Sequence, residues 1–325
     1  MTDVIGRSGS RSIVPSRTVL AAAWLAASTA AAAEPEVVIR AEWGAEPGQL
    51  GKHDAAESAP EGPMSFAVAP GGDVWILDQV NRRLARFDAT GRFLATLDLA
   101  SETFQGLAVG PDGHLALMDR LAARVVRVLD PDGQLLGEVP LEGFGIAEGG
   151  GTTAVFARDD GVWVEYDHRR TVRVLDAQAH DPYYRRTLDG RPLGPGLVAG
   201  LARLDGPSAV NLRTVDRGTD TTLAETILRF DEPVRRLVEL AGDDQGDVVL
   251  AVHLATEAPA RDHAILHEEL AVLVLDAALV ERRRLSATPS TGPWEQFKEL
   301  EVEADGTIWQ LAFLDSGVEV RRWQP

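Results

Sequence analysis

The chain has no cysteine, only three methionines, and only 6% aromatic residues across its 325 positions. Without cysteine, neither a disulfide framework nor a thiolate metal or redox site can form. Positive charge is scarce as well: 32 Lys and Arg stand against 50 Asp and Glu, a net charge of −18. A binder of phosphate backbones needs Lys and Arg to displace counterions, so this balance argues against a nucleic-acid partner. Disorder is excluded by the 45% hydrophobic content, which is enough to bury a core.

The first segment reads as an address. Arg7, Arg11 and Arg17 precede a small, apolar run from Thr18 to Ala33, which Glu34 and Pro35 then break. A basic start, an apolar middle and an Ala-rich end are the marks of a secretory signal, here residues 1–33 with cleavage after Ala33. The alternative is a membrane anchor. The run is shorter and more Ala-rich than the roughly twenty strongly apolar residues that spanning requires. No later run is long enough either, so no stable membrane insertion is expected once the signal is removed. The expected product is a secreted or periplasmic monomer covering residues 34–325, still more acidic than the full chain.

One unit recurs through that product: a short apolar strand, a polar turn ending in Gly, and another apolar strand. Its glycines are Gly72, Gly113, Gly161, Gly206, Gly246 and Gly306. Asp-Gly and Gly-Gly are hairpin chemistry, because Gly adopts the positive φ of tight turns at little cost. Stretches such as Val126-Arg127-Val128 and Val172-Arg173-Val174 alternate with period two, the strand signal. An all-strand unit repeating every 40–50 residues predicts the blade of a β-propeller. The expected fold is therefore all-β, a six-bladed β-propeller. Its blades fall near 62–100, 104–143, 151–193, 196–236, 237–288 and 296–325. The last repeat has three strands, and the N-terminal strand 37–43 has no blade of its own. Closure follows if that strand completes the final blade and leaves no open edge. The longer interval before Gly306 is read as a loop insertion over Thr256–Glu269.

Residues 62–99 read GPMSFAVAPGGDVWILDQVNRRLARFDATGRFLATL. This resembles the NHL repeat, with Asp78, Asn81 and Arg83 on the matching positions. Asp119 and Arg124 match in the second repeat, with Ala122 in place of the Asn. In the third repeat, Glu165 or Asp167 faces Arg170. The physical reading is an acid and an Arg meeting across a hairpin turn and fixing its register. The resemblance implies a propeller whose activity is open, since such folds range from binding platforms to lyases.

Catalytic signatures are sparse. No nucleophile elbow, phosphate loop or dinucleotide fingerprint occurs, and Gly149-Gly150-Gly151 reads as a connection. No cofactor is expected, and no catalytic residue is assigned. His253, His263 and His267, with Glu268 nearby, are the metal-ligand candidates, set against ordinary solvated histidines. Asp243-Asp244-Gln245-Gly246-Asp247 and Arg158-Asp159-Asp160-Gly161 read as hairpin turns rather than calcium loops. Trp75, Trp163 and Trp309 follow their turn glycines closely and are expected in the core. Tyr183-Tyr184-Arg185-Arg186 and Trp294 lie in connections, where rims dock ligands. Two functions follow from this reading. One is a recognition or scaffold module for a protein or glycan. The other is a metal-dependent, lactonase-like hydrolase or lyase with its site in the central channel.

Overall fold

The computed structural model describes residues 34–54, 56, 60–194, 198–258, 264–290 and 295–325. The segment read as an export signal, along with His263 and Trp294, lies outside the described residues. Six four-stranded antiparallel sheets follow one another along the chain as six blades, and the fold is the expected six-bladed propeller. In the last blade, Glu36–Glu42 pairs with Gly317–Trp323, from Glu36 opposite Arg322 to Glu42 opposite Gly317. Closure therefore occurs where the sequence placed it, with the N-terminal strand on the outer edge of blade six.

The turns obey local chemistry. Gly72 and Gly113 sit at φ 84° and 85°, where any Cβ would be strained. Trp75, Trp163 and Trp309 are all buried. In blades one, two, three, five and six the repeated Gly turn joins the first strand to the second. Blade four departs from this. Its first strand is only Arg191–Pro192, starting before the expected boundary at 196. Its Gly206 turn joins the second strand, Val198–Leu204, to the third, Ala209–Asp216. Asp-Gly chemistry is the same at either end of a blade, so the even spacing at Gly206 conceals the change. Val234–Gly242 is the first strand of blade five, so residues 234–236 leave blade four. Most of the described residues in the expected insertion over Thr256–Glu269 are strand: Val248–Glu257 pairs with Ile265–Leu275 in a long hairpin.

Of the three expected acid and Arg pairings, the one in blade one forms among the described residues. Asp78 is fully buried and Arg83 Nε lies 2.8 Å from its Oδ2. Asn81 Nδ2 donates to the same oxygen at 2.8 Å and to the Gly44 carbonyl at 2.9 Å. Arg83 also donates to the carbonyls of Ala45 and Gln49, at 2.8 Å each. The triad therefore ties the segment after the closing strand onto blade one. In blade two the turn is one residue longer, so Asp119 pairs with Val125 where Asp78 pairs with Arg83. Arg124 falls at φ 54°, the place of Arg82. Asp119 instead accepts the backbone N–H groups of Leu121, Ala122 and Ala123. Glu165 turns to Arg191 rather than to Arg170.

Apolar clusters seal five of the six blade interfaces. They join blades one and two, two and three, four and five, five and six, and six and one. Val248–Ala255 feeds two of them, since its alternate residues are buried on opposite faces of blade five, as a sheet covered on both sides requires. No such cluster joins blades three and four among the described residues.

Candidate functional site

First strands of the blades converge on a central channel with a cavity of about 220 Å³. Ser65, Leu107, Phe156, Arg191, Glu239 and Lys298 line it, one residue from each blade. Arg191 enters it from the short first strand of blade four, Arg191–Pro192. Its Nη2 and Nε reach Glu165 Oε2 and Oε1 at 2.8 and 3.0 Å, and its Nη1 reaches Glu239 Oε1 at 2.6 Å. One guanidinium thus joins blades three, four and five. Thr153 Oγ1 donates to Glu165 at 2.7 Å, and the Phe156 ring lies 5.7 Å from the Arg191 guanidinium.

Electrostatics follow from these contacts. Burial pushes the Glu165 carboxyl up, but Arg191 outweighs it, aided by hydrogen bonds from His168, Arg191 and Thr153. The carboxyl ends well below the usual carboxylate range. Burial likewise works against charge on Arg191, while Glu165 and Glu239 hold it firmly protonated. Lys298 Nζ lies 3.2 Å from Glu301 Oε2, which also accepts the Val68 N–H at 3.2 Å. There burial prevails and raises the Glu301 carboxyl despite Lys298. Arg236 pairs with Glu299 at the same wall. The channel's charges are committed to one another, which suits a structural strut better than an acid–base pair waiting for substrate.

Of the histidine candidates, the two among the described residues, His253 and His267, each pair with a separate carboxylate. His253 Nε2 bonds Glu268 Oε1 at 2.8 Å, and His267 Nε2 lies 3.4 Å from Glu232 Oε1. Burial lowers His253, with Glu268 acting against it. Among the described residues, no group of three His, Asp or Glu side chains is placed to hold a metal ion. The acidic runs are turns: Asp243 Oδ1 accepts the N–H groups of Gln245 and Asp247, at 2.9 Å each.

A different surface stands out on blade three. Phe144, Tyr183 and Tyr184 are 76%, 91% and 78% exposed, and no other described aromatic is exposed. Arg185 Nη1 donates to the Glu142 carbonyl at 2.6 Å, tying the two connections together. A Cβ on Gly145 would meet Val172 Cγ2 at 3.0 Å, so the Phe144 loop lies directly on blade three. The two tyrosine rings meet edge to face, 4.5 Å between centroids. Sequence reasoning found Tyr183 and Tyr184 through their place in a connection; it missed Phe144.

No family model matches the chain, and no curated protein does. Solved structures do. Hydrazine synthase of Kuenenia stuttgartiensis matches with a TM-score of 0.52 and 12% identity over 80% of each chain. A streptogramin B lyase covers 84% of this chain and 96% of its own, with a TM-score of 0.44 and 12% identity. The C-terminal WD40 domain of Sif2 covers 85% of each chain, with a TM-score of 0.45 and 12% identity. At such identities the likeness is one of fold. This chain is a β-propeller with six blades. The NHL-like propeller expected from residues 62–99 stands at that level.

Proposed function

We propose that this chain is an exported recognition module, an NHL-like ring that presents loop residues to a partner protein or glycan. The observation that carries this reading is the exposed trio Phe144, Tyr183 and Tyr184. Large aromatic side chains are costly to leave in water, and clustered exposed ones mark interaction surfaces. The self-paired charges of the channel support the same reading, because they brace the ring and leave binding to its rim. The sequence pattern of residues 1–33, read as an export signal, supports an extracytoplasmic setting.

The test is capture of partners from periplasmic and culture extracts on immobilised protein, beside a Tyr183→Ser/Tyr184→Ser variant. A partner retained by the native chain and lost by the variant, at unchanged melting temperature, supports the reading. Equal retention by both, or no retention by either, overturns it.

A further inference from the structure

Among the described residues, the seam between blades three and four lacks the apolar cluster found at every other interface, and charged side chains stand in its place. On the blade-four side, Leu201, Arg203, Asn211, Arg213 and Glu225 surround a hollow of about 250 Å³. Arg213 and Glu225 stand opposite each other on paired strands. The Glu225 carboxylate nevertheless accepts from Asn211 Nδ2 at 3.0 Å. The side chains of Arg203, Arg213 and Arg229 form no ion pair, hydrogen bond or ring contact with any described residue. In a chain of net charge −18, guanidiniums without carboxylate partners run against the general pattern. Blade three approaches this face through Gly190. Its N–H bonds the Arg169 carbonyl at 2.7 Å, and a Cβ there would meet Leu201 Cγ at 3.1 Å.

We propose that this seam seats an acidic, extended segment of a partner protein, with its carboxylates on Arg203, Arg213 and Arg229. The proposal rests on the recognition reading only in requiring a partner. Guanidinium forks match carboxylates in two-point contacts, which Lys does not. The outermost strand of blade four, Thr221–Arg229, leaves one backbone edge open and exposes Ile227 beside these cations. A polypeptide brings carboxylates, apolar side chains and strand hydrogen bonds together. An acidic polysaccharide brings only the first. A second copy of the chain fits poorly: laid antiparallel about its centre, this strand sets Glu225 against Glu225, and opposed like charges destabilise a pair.

The experiment is fluorescence anisotropy of a labelled oligoglutamate peptide with the full chain, at low and high salt. Binding at low salt that weakens at high salt is expected. The Arg203→Gln/Arg213→Gln/Arg229→Gln variant should bind roughly tenfold more weakly, and Glu225→Gln should bind more tightly. Arg92→Gln removes a guanidinium already paired with Asp88 at 3.0 Å and should change nothing. Equal binding by native and triple-Gln chains overturns the proposal. So does preference for polygalacturonate over the peptide, or a dimer in sedimentation that the triple substitution dissolves. Tyr183→Ser/Tyr184→Ser should leave peptide binding intact, so failure of the seam and failure of the aromatic surface are read separately.

Discussion

Arg191 and Glu165 meet through two hydrogen bonds, at 2.8 and 3.0 Å, across the blade interface that has no apolar cluster among the described residues. Glu239 takes the third contact at 2.6 Å. Removing the cation would strand Glu165 in the interior, and breaking a buried pair on one side costs about 3–5 kcal/mol. Arg191→Met should therefore be among the most destabilising substitutions in the ring, read by denaturant unfolding at neutral pH. An unfolding midpoint within error of the native chain would remove the strut from this account.

The same contact sets a pH dependence with a definite sign. Glu165 is held below its ordinary value in the folded state. Its stabilisation is therefore present above the unfolded value of about 4.3 and is lost as pH falls through the depressed folded one. In Arg191→Met only burial and weaker hydrogen bonds remain, so acidification should relieve the variant. The stability gap between native and variant chains should narrow on going from pH 7 to pH 4. A constant gap would contradict the pairing.

Blade one offers a matched comparison. Arg83 is paired with fully buried Asp78, whereas Arg124 is an exposed residue one step out of register. Arg83→Ala should cost about 3–5 kcal/mol by stranding a buried charge. Arg124→Ala should stay within about 0.5 kcal/mol. Equal effects in thermal unfolding would mean that the extra residue in the second turn carries no structural consequence.

Closure can be tested at the strand itself. Ile39 is fully buried between blades six and one, so Ile39→Ala should cost about 2–5 kcal/mol. Gly91, at φ 81°, lies so close to this strand that a Cβ would stand 1.8 Å from the Val38 carbonyl oxygen. Gly91→Ala should accordingly destabilise the ring, although the side chain is small. Native-like unfolding of both variants would show that the N-terminal strand does not close the ring.

Much of this was legible in the residues, and the parts that were not have physical reasons. Period-two alternation and Gly turns specify strands locally, so the blades and the closing strand could be read directly. The polar seam was also written in the chain: Val210-Asn211-Leu212-Arg213 alternates apolar and polar, whereas Val248–Ala255 is almost continuously apolar. Turn chemistry cannot say which end of a blade a hairpin occupies, which is why Gly206 misled. Arg191 finds its partners 26 and 48 residues away, and no local pattern announces such a contact. The Asp119 and Arg124 match failed because one inserted residue moves every later side chain in the hairpin.

Glu301 has the opposite sign to Glu165. Burial raises its carboxyl, and the attraction of Lys298 does not cancel that. A carboxyl raised in the folded state favours folding at low pH and loses that contribution as pH rises from about 4.3 through the folded value. Glu301→Gln keeps the shape and an acceptor for the Val68 N–H while removing the charge. Relative to the native chain, this variant should gain stability steadily between pH 4 and pH 8. Lys298→Met should do the reverse, since it leaves the ionised carboxylate with no cation beside it. Denaturant unfolding of both variants at the two pH values decides the matter. A Glu301→Gln chain that loses ground as pH rises would show that the Lys298 pair outweighs burial.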